Sequence, residues 1–248
     1  MAKTDQSMLP HPVIETRFKT EAQKPDFVNQ LFDRGAQYYD GVNSWGFLGT
    51  GGRYRRMALF QHGLRAGQRL LDVGCGTGLI AIEAVKILGT AENITCVDPS
   101  VGMLAVAKLK LNARFVQGRA EEIPLPDESF DFLTMGYALR HVTSLEQAFQ
   151  EYHRVLAKGG KVLLLEITKP SNRLGAAVLK FYFKGLYPWL ARVFTRSKAA
   201  EDLLIYYWET IEACVRPELI LESLSKAGFR DVKRDSRFGV LSEYSAVK

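Results

Sequence analysis

The 248-residue chain contains only three cysteines, Cys75, Cys96 and Cys214, odd in number and far apart. That excludes a disulfide framework, and no pair of them has the spacing of a zinc site, so no bound metal is expected. Thiols used this sparingly fit a reducing compartment, and a cytoplasmic location is the expectation. No apolar run reaches the length of a membrane span. Met1–Thr20 has neither the apolar centre of a secretory signal nor the acid-poor, arginine-rich character of a transit peptide. Internal repeats and low-complexity tracts are missing too, which argues against a solenoid or a disordered tail.

What remains is a chain with 47% hydrophobic residues, enough for one good-sized α/β domain. Its formal charge of +6 is modest and fits nucleic acid, an anionic membrane surface or an unspecialised basic exterior equally well. Apolar runs at Arg69–Val73, Ile94–Val97, Asn112–Val116, Phe130–Met135 and Lys161–Ile167 predict buried strands. Between them, Leu79–Leu88, Met103–Leu111 and Leu145–Leu156 carry apolar residues at helical spacing, the last closed by Lys158-Gly159-Gly160. Strands alternating with helices imply a parallel sheet covered on both faces.

The alternation breaks at Pro170–Lys198, a basic and aromatic stretch that predicts one or two extra helices. It resumes with a helix over Pro217–Ala227, stopped by Gly228. Asp231–Ser236 and Val240–Val247 then predict an antiparallel hairpin. The expected organisation is a single domain. An N-terminal helical cap covers 1–65, a ligand-binding core 66–168, a helical insertion or lid 169–215, and a C-terminal helix with a strand hairpin 216–248. The fold class is α/β, a seven-stranded mostly parallel sheet with helices on both faces.

The segment Asp72-Val73-Gly74-Cys75-Gly76-Thr77-Gly78 lies where the first strand meets the first helix. Three glycines at alternate positions remove the Cβ atoms that would hold a ligand off the backbone. Open α/β sheets bind ligands at this edge. The Gly-Lys-Ser/Thr ending of a phosphate-binding P-loop is missing. Asp98 closes the second strand 26 positions after Asp72, where a ribose-binding acid belongs. The loop and this spacing suit an amino-acid-bearing nucleoside better than a pyrophosphate.

These residues resemble the Rossmann-like class I S-adenosylmethionine-dependent methyltransferases over most of Arg69–Glu166. The resemblance implies S-adenosyl-L-methionine as cofactor, with Asp72, Gly74, Cys75, Gly76, Thr77 and Gly78 at its methionine end and Asp98 at its ribose. Ser129-Phe130-Asp131 matches the family's pattern before the fourth strand. Where the family commonly reads Gly-Asp-Ala, this chain reads Gly118-Arg119-Ala120, and a donor-only arginine cannot accept from the adenine amino group. Adenine is expected instead on backbone near Arg119 and Ala120, with apolar contact from Pro99 or Met103.

Further stretches resemble the ubiquinone/menaquinone C-methyltransferase family. They are Leu31-Phe32-Asp33-Arg34-Gly35-Ala36-Gln37-Tyr38-Tyr39-Asp40-Gly41-Val42-Asn43, Tyr137-Ala138-Leu139-Arg140-His141-Val142-Thr143, Arg154–Thr168 and the helical Tyr206–Phe229 region. His141 stands where that family has asparagine, Ala157-Lys158 where it has Lys-Pro, and Gly49–Tyr54 lacks its histidine and tryptophan. The resemblance implies methylation of a ring carbon on an aromatic quinol or phenol precursor, with or without a prenyl tail. It puts Arg140 and His141 at the substrate as catalytic residues, and Tyr38, Tyr39 and Asp40 over it as lid residues.

Arginine cannot readily act as a base, but it can stabilise a phenolate. A histidine can take the ring proton directly, or it can merely cap and pack at this loop. Methyl transfer to another small molecule, and cofactor binding without transfer, stay open as alternatives. Nucleic acid is not the expected acceptor, for there is no appended basic domain and no Asn-Pro-Pro-Tyr-type stretch. Arg173–Lys198 is open to two readings, a peripheral membrane contact or a lid or homodimer surface.

Overall fold

The computed structural model describes residues 9–46, 49–170 and 172–248. Two helices, α1 (Lys24–Gly46) and α2 (Gly51–Gln61), precede β1 (Leu70–Val73), as the early sequence predicts. Then follow α3 (Leu79–Leu88), β2 (Ile94–Asp98), α4 (Val101–Lys108), β3 (Arg114–Gln117), β4 (Phe130–Gly136), α5 (Leu145–Val155) and β5 (Leu156–Ile167). The insertion holds α6 (Arg173–Lys180), a π-helical turn over Phe181–Leu186, α7 (Tyr187–Thr195) and α8 (Lys198–Ala213). The chain ends with α9 (Pro217–Lys226), β6 (Arg230–Arg237) and β7 (Leu241–Val247).

Seven strands form one sheet in the order β3-β2-β1-β4-β5-β7-β6, with β7 antiparallel to both its neighbours and the rest parallel. Period-2 alternation divides the apolar strand residues between two layers. Leu71, Val97, Leu133 and Leu164 face α5 and α9. Leu70, Cys96, Phe132 and Leu163 face α2 and α3. The order reverses between β1 and β4, and a parallel sheet opens a crevice at that point.

Local chemistry sets the helix ends. Ser100 caps α4 through a bond from the Met103 amide at 3.0 Å, so this helix starts two residues before the apolar periodicity suggests. Ser144 caps α5 in the same way at 3.3 Å. Helix α5 stops at Val155, and the Lys158-Gly159-Gly160 stretch lies inside β5 as an irregularity, with Gly159 at φ +77°. Helix α8 falls within the stretch 169–215 expected as a helical insertion. It packs against α1 and α7 as a roof beside the sheet's C-terminal edge. Among the described residues, no helix is long and apolar enough to cross a membrane.

Candidate active site

A cavity of about 790 Å³, its open mouth included, lies at the C-terminal ends of β1, β2 and β4 beneath α1 and α8. Its floor is the glycine loop. Gly74, Gly76 and Gly78 have φ of +62°, +54° and +82°, a region that side chains strain. A Cβ on Gly74 would lie 2.8 Å from the Ala138 Cβ, whereas one on Gly76 would meet nothing within 4 Å. Gly76 lines the cavity, so its bare backbone is a cradle that a Cβ would partly fill.

Asp98 organises this loop. Its two carboxylate oxygens accept from the Gly76 amide at 2.8 Å and the Ser100 amide at 2.9 Å. Burial pushes its pKa up to about 6, against the pull of those two amides. Ribose hydroxyls would donate to the ionised carboxylate. Cofactor affinity is therefore expected to hold steady above pH 7 and to fall as the pH drops through about 6, measured by equilibrium binding across that range.

Asp72 is buried behind the loop, and neither of its oxygens makes a well-formed hydrogen bond. Burial, then the Asp98 charge, push its pKa up to about 8; the nearby Ala81 amide only moderates this. This unsatisfied carboxyl is largely protonated at neutral pH without a ligand, and a cationic ligand above the loop would favour its ionisation. The glycine cradle, Asp98 and this buried acid together fit a nucleoside carrying a positively charged amino acid.

Pro99, Met103, Arg119 and Ala120 line the far end of the cavity, where adenine is expected. Arg119 does not stand alone there. It donates to the Thr143 hydroxyl at 3.1 Å and pairs with Glu121 at 3.5 Å. Glu121 also lines the cavity. Burial opposes its ionisation, but the Thr143 amide and hydroxyl with Arg119 hold its pKa below the usual range. Its carboxylate is an acceptor, which the Arg119 side chain is not, and it lies two residues along. Sequence reasoning missed it, although its place in the same turn was a usable signal.

Cys75, Thr77 and Gly78 shape the loop from outside the cavity lining. The Cys75 amide bonds to the Val97 carbonyl at 3.1 Å, and its buried thiol, beside Cys96, is held well above its ordinary pKa. Gly78 caps α3 in the left-handed conformation. The Thr77 hydroxyl donates to Asp40 at 2.5 Å, and Lys110 forms an ion pair with the other Asp40 oxygen. Asp40 therefore ties α1 to the glycine loop and does not face the cavity. Tyr38 turns into the apolar layer around Tyr187, Leu203 and Leu204. Neither of these two expected lid residues is among those that line the cavity. Tyr39 does line the cavity, and its hydroxyl meets that of Tyr207 at 2.6 Å.

Arg140, expected at the substrate, is not among the residues that line the cavity. Its side chain is fully buried behind the cavity wall, in an ion pair with Glu166. It donates further to Thr210 at 3.2 Å and to the Tyr137 carbonyl at 3.3 Å. Glu166 also accepts from the Leu139 amide at 3.2 Å. Arg140 and Glu166 thus fix the short 3₁₀ turn Leu139–His141. Tyr137, just before it, has φ +61°, a strained conformation for an aromatic residue at the end of β4.

His141 is the predicted catalytic residue that reaches the cavity. Its ring stacks on Tyr206 at 5.4 Å and meets Phe32 edge-on at 5.1 Å. Neither ring nitrogen has a hydrogen-bond partner among the described residues. Burial, then the charges of Arg140, Lys24 and His11, lower its pKa well below the ordinary value, so it is neutral at pH 7. Phe32 and Tyr207 complete an aromatic wall around it. They come from α1 and α8, 175 positions apart, and nothing local in the sequence pairs them.

The strand order, the glycine turn and the acid that ends β2 define an S-adenosylmethionine-dependent methyltransferase of the class I fold. The same fold recurs in a methyltransferase from Thermotoga maritima, with a TM-score of 0.63 and 22% identity over 89% of this chain and 99% of that one. It recurs in phosphoethanolamine N-methyltransferase 2 of Haemonchus contortus, with a TM-score of 0.63 and 21% identity over 89% of this chain and 59% of that one. The profile of the ubiE/COQ5 methyltransferase family matches residues 18–248, and the chain belongs to that family. It is 33% identical to the ubiquinone/menaquinone biosynthesis C-methyltransferase UbiE of Coxiella burnetii, over 84% of this chain and 85% of the relative. Against UbiE of Stutzerimonas stutzeri the identity is 32%, over 92% of this chain and 91% of the relative.

Proposed function

We propose that this methyltransferase methylates a ring carbon of a phenolic or quinol precursor in quinone biosynthesis, with His141 as the base. The observation that carries the reading is a neutral histidine with free ring nitrogens on the wall of an aromatic cavity, next to the glycine loop. The names of the relatives, C-methyltransferases of quinone biosynthesis, support the same acceptor class.

In this reading Gly74 and Gly76 receive the methionine end of the cofactor over Asp72, and Asp98 receives the ribose. Glu121 accepts from the adenine amino group, with Pro99, Met103 and Ala120 packed around the base. S-adenosylmethionine supplies an electrophilic methyl group. Phe32, Tyr39 and Tyr207 sandwich and desolvate the acceptor ring, which aligns its carbon for attack. Once the ring carbon carries the methyl group, a His141 nitrogen would take the ring proton, so that aromaticity returns.

The depressed pKa keeps His141 in its proton-accepting form throughout the physiological range but weakens it as a base, and the strongly acidic proton of a methylated ring cation needs only a weak base in position. His141→Ala is expected to lower kcat by ~100-fold or more, the usual contribution of a positioned base, while cofactor affinity stays within about twofold. Labelled methyl transfer to a phenolic acceptor, with cofactor binding measured separately, gives both numbers. Turnover that survives the substitution means His141 only packs.

A further inference from the structure

The outer face of the insertion exposes several large apolar side chains. Leu174 and Val178 on α6, Phe181 in the π-turn and Trp189 and Val193 on α7 project from it, with Phe181 69% and Trp189 58% exposed. A second element extends this face. Phe238, at the tip of the β6–β7 hairpin, is 89% exposed and flanks an apolar groove with Val178, Leu179 and Tyr182.

Charge gives the face its sign. From Thr168 to Lys198 there are seven basic residues and no acidic one, and all seven are exposed. Lys180 and Arg192 pair with Glu212 and Glu201 of α8. For the other five, Lys169, Arg173, Lys184, Arg196 and Lys198, no ion pair is found among the described residues. Large apolar side chains ringed by long basic ones match a bilayer interface, where the rings enter the acyl boundary and the cations reach anionic headgroups. A patch of this kind on a folded protein marks an interaction site.

We propose that α6, the π-turn, α7 and Phe238 form a docking surface for an anionic phospholipid bilayer. The inner side of the same layer is already engaged. Tyr187 and Ala191 pack on Leu203, Leu204 and Tyr207, and Tyr207 lines the cavity. One helical layer therefore stands between the bilayer and the aromatic wall, which gives a membrane-borne acceptor a short route to His141. That link to catalysis rests on the lipid-tailed acceptor proposed above; the docking does not.

The test is co-sedimentation of the full chain with phosphatidylcholine vesicles, with and without about a third phosphatidylglycerol. Binding to the anionic vesicles, weakened by salt and lost with phosphatidylcholine alone, is the expected result. The Phe181→Glu/Trp189→Glu double variant is expected to bind ~10-fold or more weakly with an unchanged thermal midpoint, since both positions are exposed. Equal binding by parent and variant overturns the proposal, and so does no binding by either. A parent that fails to bind vesicles but dimerises, with the variant monomeric by light scattering, assigns the face to a second copy of the chain and overturns it as well. A water-soluble phenol assayed without vesicles separates the two readings. Vesicle binding without phenol methylation sinks the acceptor alone, and methylation without vesicle binding sinks the docking surface alone.

Discussion

Replacing Asp98 with alanine is expected to weaken S-adenosylmethionine binding by ~100- to 1,000-fold and to leave the fold intact. A hydrogen bond to a charged acceptor is worth ~1.5–3 kcal/mol, so losing two ribose hydroxyl contacts at the low end of that range costs ~3–4 kcal/mol. At about 1.4 kcal/mol per tenfold change, this gives the stated loss. The substitution also frees the Gly76 and Ser100 amides, which lie against the cavity where water can satisfy them. The unliganded protein is expected to tolerate the change. Burial already raises this carboxyl's pKa to about 6, so its ionised form is disfavoured there without a ligand. Asp98→Asn keeps an acceptor oxygen and loses the charge, and its affinity falls between those of the parent and the alanine variant. Calorimetric titration with the cofactor, beside thermal unfolding of the unliganded variants, checks both statements. An Asp98→Ala affinity within about threefold of the parent removes the residue from the ribose site.

The contrast between Asp98 and the cap shows what the sequence could reveal. Asp98 was legible because a strand, a glycine turn and an acid at fixed spacing are local features whose geometry follows from one βαβ unit. The strand and helix pattern was legible for the same reason: period 2 and period 3.6 are written in neighbouring residues. The acceptor side of the cavity is a matter of tertiary meeting. Tyr39 finds Tyr207 across 168 positions and Lys24 finds the Val142 carbonyl across 118. No spacing rule links such pairs. Direction was hidden as well. The stretch Arg140-His141 places two polar side chains in one 3₁₀ turn, and only the fold shows the first pointing back to Glu166 and the second into the cavity.

Arg140→Ala is the substitution expected to cost the most stability, ~3–5 kcal/mol, because it strips the partner from a buried carboxylate. Arg140 and Glu166 are both almost wholly excluded from solvent. Burial pushes the Glu166 pKa up, with Arg140 as the main force against it. Without the guanidinium the glutamate pKa climbs further above its unfolded value. A group raised in the folded state stabilises at low pH and loses that stabilisation as the pH rises, so the deficit of the variant is expected to grow from acid toward neutral pH. Adding Glu166→Gln is expected to recover part of it, by removing the orphaned charge while keeping an acceptor for the Leu139 amide. Thermal unfolding of the parent and the two variants across pH tests this. The same variants decide how Arg140 acts in catalysis. If it holds the turn that carries His141, the double variant at low temperature keeps turnover within about tenfold of the parent, with the loss shared between kcat and KM as positioning slackens. A folded Arg140→Ala/Glu166→Gln protein whose kcat alone drops ~100-fold or more would instead return the guanidinium to the reacting ring, as a phenolate stabiliser reached by a rearrangement on substrate binding.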